Sequence, residues 1–265
     1  MPETSPPPRV MSRKGFLSAM IAAVVVLLIV VIGLVTLLLV PATAKPKPTR
    51  SASPTRSPSA TPTPTPTPTF DKNQFSTTDA TSLWVMVDKQ HPLNPRDYAP
   101  ALAPLNLPGY KGLMRPEAVA AMQKMFADYH AQSPTGDGLT VVSPYRSYPD
   151  QVSVYNGWVR RLGQAQADRQ SARPGYSEHQ TGLAVDIDTA TNQGFGTTAA
   201  GQWLAQNSWR YGFVVRYQQG QEPITGYEYE PWHFRYVGVE LATELQKQGF
   251  PSLETFFGYA PAPSY

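Results

Sequence analysis

Two short stretches hold the residues that can do chemistry: Ser177-Glu178-His179-Gln180-Thr181-Gly182-Leu183-Ala184-Val185-Asp186, and Glu230-Pro231-Trp232-His233. Between them they supply two histidines, an aspartate and glutamates. Catalytic zinc takes three protein ligands from His and carboxylate and leaves a fourth position to water. A further carboxylate then accepts a proton from that water. His179, Asp186 and His233 fit the ligand roles, and Glu230 fits the base. The spacing of His179 and Asp186 is common by itself, so that pair also reads as a chance surface contact. Glu230 likewise reads as a solvated carboxylate beside Glu228.

The elements around these stretches predict how the residues are presented. In the strand Leu183-Ala184-Val185-Asp186-Ile187, alternate residues share a face. Leu183, Val185 and Ile187 form the apolar row, and Asp186 and Asp188 point the other way. Gly182 suits a turn that returns His179 to Asp186. Glu230 and His233 are three apart, and a regular strand points such residues to opposite faces. The chain must therefore bend between them. Pro231, with no N–H to donate, gives it a reason to.

The remaining pattern is mixed. Arg115-Pro116-Glu117 starts a helix, with Val119, Met122, Phe126 and Tyr129 at helical spacing. A strand follows at Leu139-Thr140-Val141-Val142. A second helix runs from about Pro149, with Val152, Tyr155, Val159 and Leu162 on one stripe. Thr197 or Thr198 caps a third helix containing Trp203 and Leu204. The last runs from about Val239 to Lys247 and ends at Gly249. Phe213 to Arg216 and Trp232 to Tyr236 are strand-like. Helices and strands do not alternate strictly. This predicts an α+β fold with a small, mainly antiparallel sheet flanked by helices.

The pattern S-x-H-x-x-G-x-A-x-D followed by E-x-W-H resembles the VanY-type D-alanyl-D-alanine carboxypeptidases. Ser143-Pro144-Tyr145-Arg146-Ser147 is similar to the family's S-x-Y-R-S segment, except that Pro144 replaces a usually small residue. Ser171 to Tyr176 resembles its approach to the first motif. The resemblance covers about Leu83 to Gly249. It implies a zinc site on one face of the sheet, with His179, Asp186 and His233 as ligands and Glu230 as base. It implies that Arg146 acts in the active site, on a substrate carboxylate or a developing oxyanion. Ser177 and Gln151 resemble substrate contacts. Tyr145, Trp232 and Tyr227 suit a pocket wall, and as aromatics suit the core equally.

The N-terminal third is different. Phe16 to Val40 is a nearly unbroken apolar run, long enough for a membrane-spanning helix. Arg9, Arg13 and Lys14 precede it, which predicts a cytoplasmic tail at 1–15. Ala42-Thr43-Ala44 has the form of a signal-peptide cleavage site, but such apolar regions run only about 7 to 15 residues. Either reading exports the rest of the chain. Residues 41–69, rich in Pro and Thr, have almost nothing apolar to bury and read as a disordered linker. If extended, these residues span on the order of 90 Å.

Residues 1–69 carry seven Lys or Arg and one acid, leaving 15 basic and 18 acidic residues for 70–265. The basic excess belongs to the N-terminal segment, and nothing points to nucleic acid. The chain has no cysteine, which excludes disulfides, thiolate zinc sites and cysteine nucleophiles. It has no S-x-x-K motif of the serine-based enzymes that trim the same peptides.

These readings combine into a single-pass membrane protein whose residues 70–265 face the cell wall. That domain would remove the terminal D-alanine from peptidoglycan stem peptides with Zn2+. An L,D-carboxypeptidase acting on tetrapeptides, an endopeptidase, and a non-catalytic zinc-binding module are the alternatives. Oligomeric state is not readable from the sequence.

Overall fold

The computed structural model describes residues 70–107, 110–133, 138–190 and 194–265. The expected membrane span at 16–40 and linker at 41–69 lie outside them. Among the described residues, no helix is long and apolar enough to cross a membrane.

The centre is a four-stranded antiparallel sheet in the order β3-β4-β6-β5, with β3 Leu139–Ser143, β4 Ala184–Thr189, β5 Phe213–Tyr217 and β6 Glu230–Tyr236. A separate two-stranded pair, β1 (Ala103–Pro104) and β2 (Leu113–Met114), precedes it. The mixed α+β architecture with small antiparallel sheets agrees with the sequence reading.

Helix α1 spans Pro116–Gln132, with Pro at its start and Glu117 in the first turn. Its predicted apolar face, Val119, Met122, Phe126 and Tyr129, is buried. It packs in one core with Val185 and Ile187 of β4, Phe213 of β5, Phe234 of β6 and Leu204 of α4 (Ala199–Asn207). Thr198 caps α4 by accepting from the Gly201 N–H. Both faces of β4 thus separate as expected: the apolar row enters the core and Asp186 turns away.

Two expectations need correction. Helix α2 (Tyr148–Leu162), capped by Ser147, does not bury the stripe from Val152 to Leu162. Leu162 is 43% exposed, and the buried residue of this helix is Gln151. The reason is position: α2 packs on α3 (Gln164–Gln170) and presents Val154 and Trp158 to a cleft rather than to the core. The chain also does not end its order at α6 (Val239–Gln248). A further short helix, α7 (Leu253–Phe257), follows, after α5 (Glu222–Thr225) earlier in the chain. Leu253 and Phe256 pack with Trp84, Met86, Leu241 and Leu245 in a second core.

Candidate metal centre

His179 lies in a 3-10 turn, Glu178–Thr181, that enters β4. The turn closes at Gly182, whose φ is +69°. A Cβ there would meet Leu102 at 3.0 Å and Arg115 at 3.2 Å, so both the conformation and the space favour glycine. Asp186 then stands directly opposite His233 in the β4–β6 register. Cross-strand neighbours of this kind have Cβ atoms about 5 Å apart, close enough for one ion to bridge them.

Glu230 reaches the same place because β6 is irregular. Val215 of β5 pairs with Phe234, whereas Tyr217 pairs with Glu230, so four steps along β6 face two along β5. Such a bulge re-aims side chains. It holds Pro231 and brings Glu230 Oε2 to 3.2 Å from His233 Nδ1.

Donor atoms of His179, Asp186 and His233 lie within 4.8 Å of one another. Nδ1 of His179 lies 2.8 Å from the carbonyl oxygen of Pro144. Donation there leaves Nε2, 3.4 Å from Asp186 Oδ2, with its lone pair free. Oδ1 of Asp186 is buried without a hydrogen bond and is 3.4 Å from His233 Nδ1. Two imidazole nitrogens and a carboxylate whose buried oxygen lacks a partner make a donor set that fits zinc.

Charge is concentrated here. Burial opposes a charge on His233, yet Glu178, Glu230 and Asp186 push its pKa up to about 9. Burial also raises the Glu230 carboxyl, against the pull of His233. Burial would raise Asp186 as well, but His179, His233 and Arg146 hold it below its usual value. Carboxylate oxygens of Asp186 and Glu230 lie 3.4 and 3.2 Å from His233 Nδ1, so a divalent cation placed between these groups would meet negative charge directly.

The metal cluster opens into a cleft of about 430 Å³. Arg146, Ser177, Glu230 and Trp232 line it, together with Tyr227. Arg146 is held by its own N–H on the His179 carbonyl, 3.2 Å, and by Nη1 on Ser143 Oγ, 3.3 Å. Its Nε is buried without a hydrogen bond. Burial pulls its pKa down, with Asp186 and Glu230 opposing.

Two expected contacts stand elsewhere. Gln151 is fully buried behind the wall, donating to the Ala172 carbonyl at 2.6 Å and to Ser171 Oγ at 3.3 Å. Tyr145 does not line the cleft either, and its backbone N–H goes to Leu113 O. Helical position explains Gln151: it is the one inward-facing residue of α2. Sequence reasoning gave no role to Trp158 or Glu178, both of which line the cleft. An acid adjoining a ligand histidine inside the motif was the available signal for Glu178.

An antiparallel α+β domain with a two-histidine, one-aspartate centre, a glutamate beside it and an arginine in the same cleft defines the zinc peptidase class. Residues 111–239 match the family model described as VanY, D-alanyl-D-alanine carboxypeptidase. The solved LdcB LD-carboxypeptidase is 37% identical, with a TM-score of 0.61, covering 68% of this chain and 88% of that one. A mutant of the vancomycin resistance D,D-pentapeptidase VanY in complex with Zn(II) is 32% identical, with a TM-score of 0.57, covering 66% of this chain and 98% of that one. The YodJ protein of Bacillus subtilis (strain 168) is 43% identical over 152 residues, 56% of this chain and 54% of that protein. The chain thus spans about half the length of the curated relatives it matches. It belongs to the VanY D-alanyl-D-alanine carboxypeptidase family.

Proposed function

We propose that this protein is a zinc-dependent carboxypeptidase that removes the terminal D-alanine from peptidoglycan stem peptides. The supporting observation is the convergence of His179, Asp186 and His233 with Glu230 at 3.2 Å from His233. His179, Asp186 and His233 would hold the ion. When bound, zinc lowers the pKa of the attacking water and polarises the scissile carbonyl.

Glu230 takes a proton from that water at a carboxylate oxygen and returns it to the nitrogen of the leaving D-alanine. Its burial favours this exchange, because a carboxyl raised above its ordinary value is a stronger proton acceptor. Arg146 supplies a fixed positive charge in the cleft, with Nε free for the substrate carboxylate or the developing oxyanion. Ser177 and Trp232 line the walls against which the peptide is oriented. Retention of Glu230 separates this reading from a metal-binding module without activity.

One observation favours a second reading. The LdcB and DacB L,D-carboxypeptidases, 37% and 38% identical, exceed the D,D-pentapeptidase at 32%. The same residues would then act on a tetrapeptide. Mass spectrometry of pentapeptide and tetrapeptide muropeptides after incubation with the full chain decides between them. Loss of one alanine from the pentapeptide supports the first reading, and loss only from the tetrapeptide the second. No loss from either removes both.

Residues 16–40 are assigned as a membrane anchor and 41–69 as the spacer that carries residues 70–265 into the wall. Phe16 to Val40 supports this by its length and by the basic residues before it.

A further inference from the structure

Behind the metal cluster lie four charged side chains with almost no access to water: Glu178, Arg216, Arg235 and Glu254. They come from the turn before β4, from β5, from β6 and from α7. Charges taken from water at this depth need full pairing, and the bonds are nearly complete. Oε1 of Glu178 accepts from Nε of Arg216 and from Nη1 of Arg235, each at 2.8 Å. Glu254 grips Arg216 in a two-point fork, with Nη1 to Oε2 at 2.9 Å and Nη2 to Oε1 at 2.6 Å. Arg235 donates its Nη2 to the carbonyls of Leu83 and Val85, both at 3.0 Å.

One oxygen of the cluster is left over. Oε2 of Glu178 has no hydrogen bond, and the group it faces is Nε2 of His233 at 3.4 Å, also without one. A ligating histidine commonly donates its second nitrogen to a carboxylate, which sets both tautomer and ring orientation. With Nε2 directed at Glu178, Nδ1 is the nitrogen that faces Asp186.

We propose that Glu254 is a positioning residue of the metal centre: by clamping Arg216 it holds Glu178 where Oε2 orients His233, with Nδ1 toward the ion. This rests on the zinc reading above and extends it. Glu254 lies beyond the 111–239 matched by the family model, so the proposal ties the C-terminal helix to the site. A purely structural role explains less. Buried ion pairs are poor stabilisers compared with apolar residues of the same shape, whereas this one ends in a free oxygen aimed at a ligand.

The test uses full-length protein with Glu254→Gln and with the charge-balanced pair Arg216→Gln/Glu254→Gln. The pair leaves Glu178 with Arg235 and strands no ion, so it carries the test if the single variant does not fold. Zinc affinity is read by chelator competition, ligand geometry by the visible spectrum of the cobalt-substituted protein, and turnover by D-alanine release. Zinc affinity and kcat should each fall about tenfold, the low end for groups outside the ligand shell. KM should stay within about twofold, and the cobalt spectrum should shift. Leu253→Ala, on the same helix, should lower Tm and leave zinc affinity intact. Folded variants with wild-type zinc affinity, spectrum and kcat would overturn the relay alone. A wild-type protein that binds no zinc would overturn the metal reading and the relay with it.

Discussion

Glu230 and His233 stand three residues apart on one strand, yet Oε2 of the first is 3.2 Å from Nδ1 of the second. A flat strand would place them on opposite faces. The bulge at Pro231 makes the meeting possible, and in the proposed mechanism it separates two jobs on one strand: His233 would hold the ion and Glu230 would handle the proton. Glu230→Gln should therefore keep zinc and the fold while D-alanine release falls about 10² to 10⁴-fold. Zinc content and turnover measured on the same sample check this. Loss of zinc would make Glu230 a ligand.

His179→Ala and His233→Ala should each abolish zinc retention and activity. Metal that binds only the folded chain stabilises it by mass action. A chelator should therefore lower the Tm of the wild-type protein and leave that of His179→Ala unchanged. Full activity of His179→Ala would sink the ligand assignment.

Gly182 holds a φ of +69° directly after the His179 turn. Gly182→Ala should cost about 1–2 kcal/mol for the left-handed conformation alone, and the contacts with Leu102 and Arg115 add to it. Because the same turn sets His179 against Asp186, zinc affinity should weaken as well. Urea denaturation and chelator competition measure the two effects. A variant as stable as the wild type would show the turn to be tolerant.

Lys89 is buried, with Nζ bonded to the Gly226 carbonyl and 4.5 Å from the Tyr227 ring centre. Burial lowers its pKa to about 8, against the pull of Asp168 and Glu222. Below that pH the amine is charged in both states, and the cost of burying it is present in full. Between about 8 and its unfolded value near 10.4, the folded chain has lost the proton and the unfolded chain keeps it. Stability due to Lys89 should therefore rise with pH across that window. Urea unfolding of wild type and Lys89→Met, at about pH 7 and about pH 9.5, should show their difference moving in favour of the wild type. A difference that does not change would mean that Lys89 titrates normally.

Detergent, and not high salt, should release the full-length protein from membranes, since hydrocarbon and not charge retains a spanning helix. N-terminal sequencing that begins at Lys45 would instead identify residues 1–44 as a cleaved signal peptide.

The candidate ligand set was legible in the sequence because each of its residues belongs to a short motif whose residue types carry their own chemistry. The start and the buried face of α1 were legible for the same local reason, a proline at the start and an apolar row at helical spacing. So was the inward and outward alternation of β4. The sequence also required a bend between Glu230 and His233, though not its form. Tertiary structure alone decided that Asp186 faces His233, because register is set between strands some 45 residues apart in the chain. It withdrew Gln151 from the cleft, because which face of α2 turns inward depends on what packs there. It also assembled Glu178, Arg216, Arg235 and Glu254. Each of these reads on its own as a surface charge, and burial becomes tolerable only when all four meet. Such mutual pairing belongs to no segment, so no local pattern announces it.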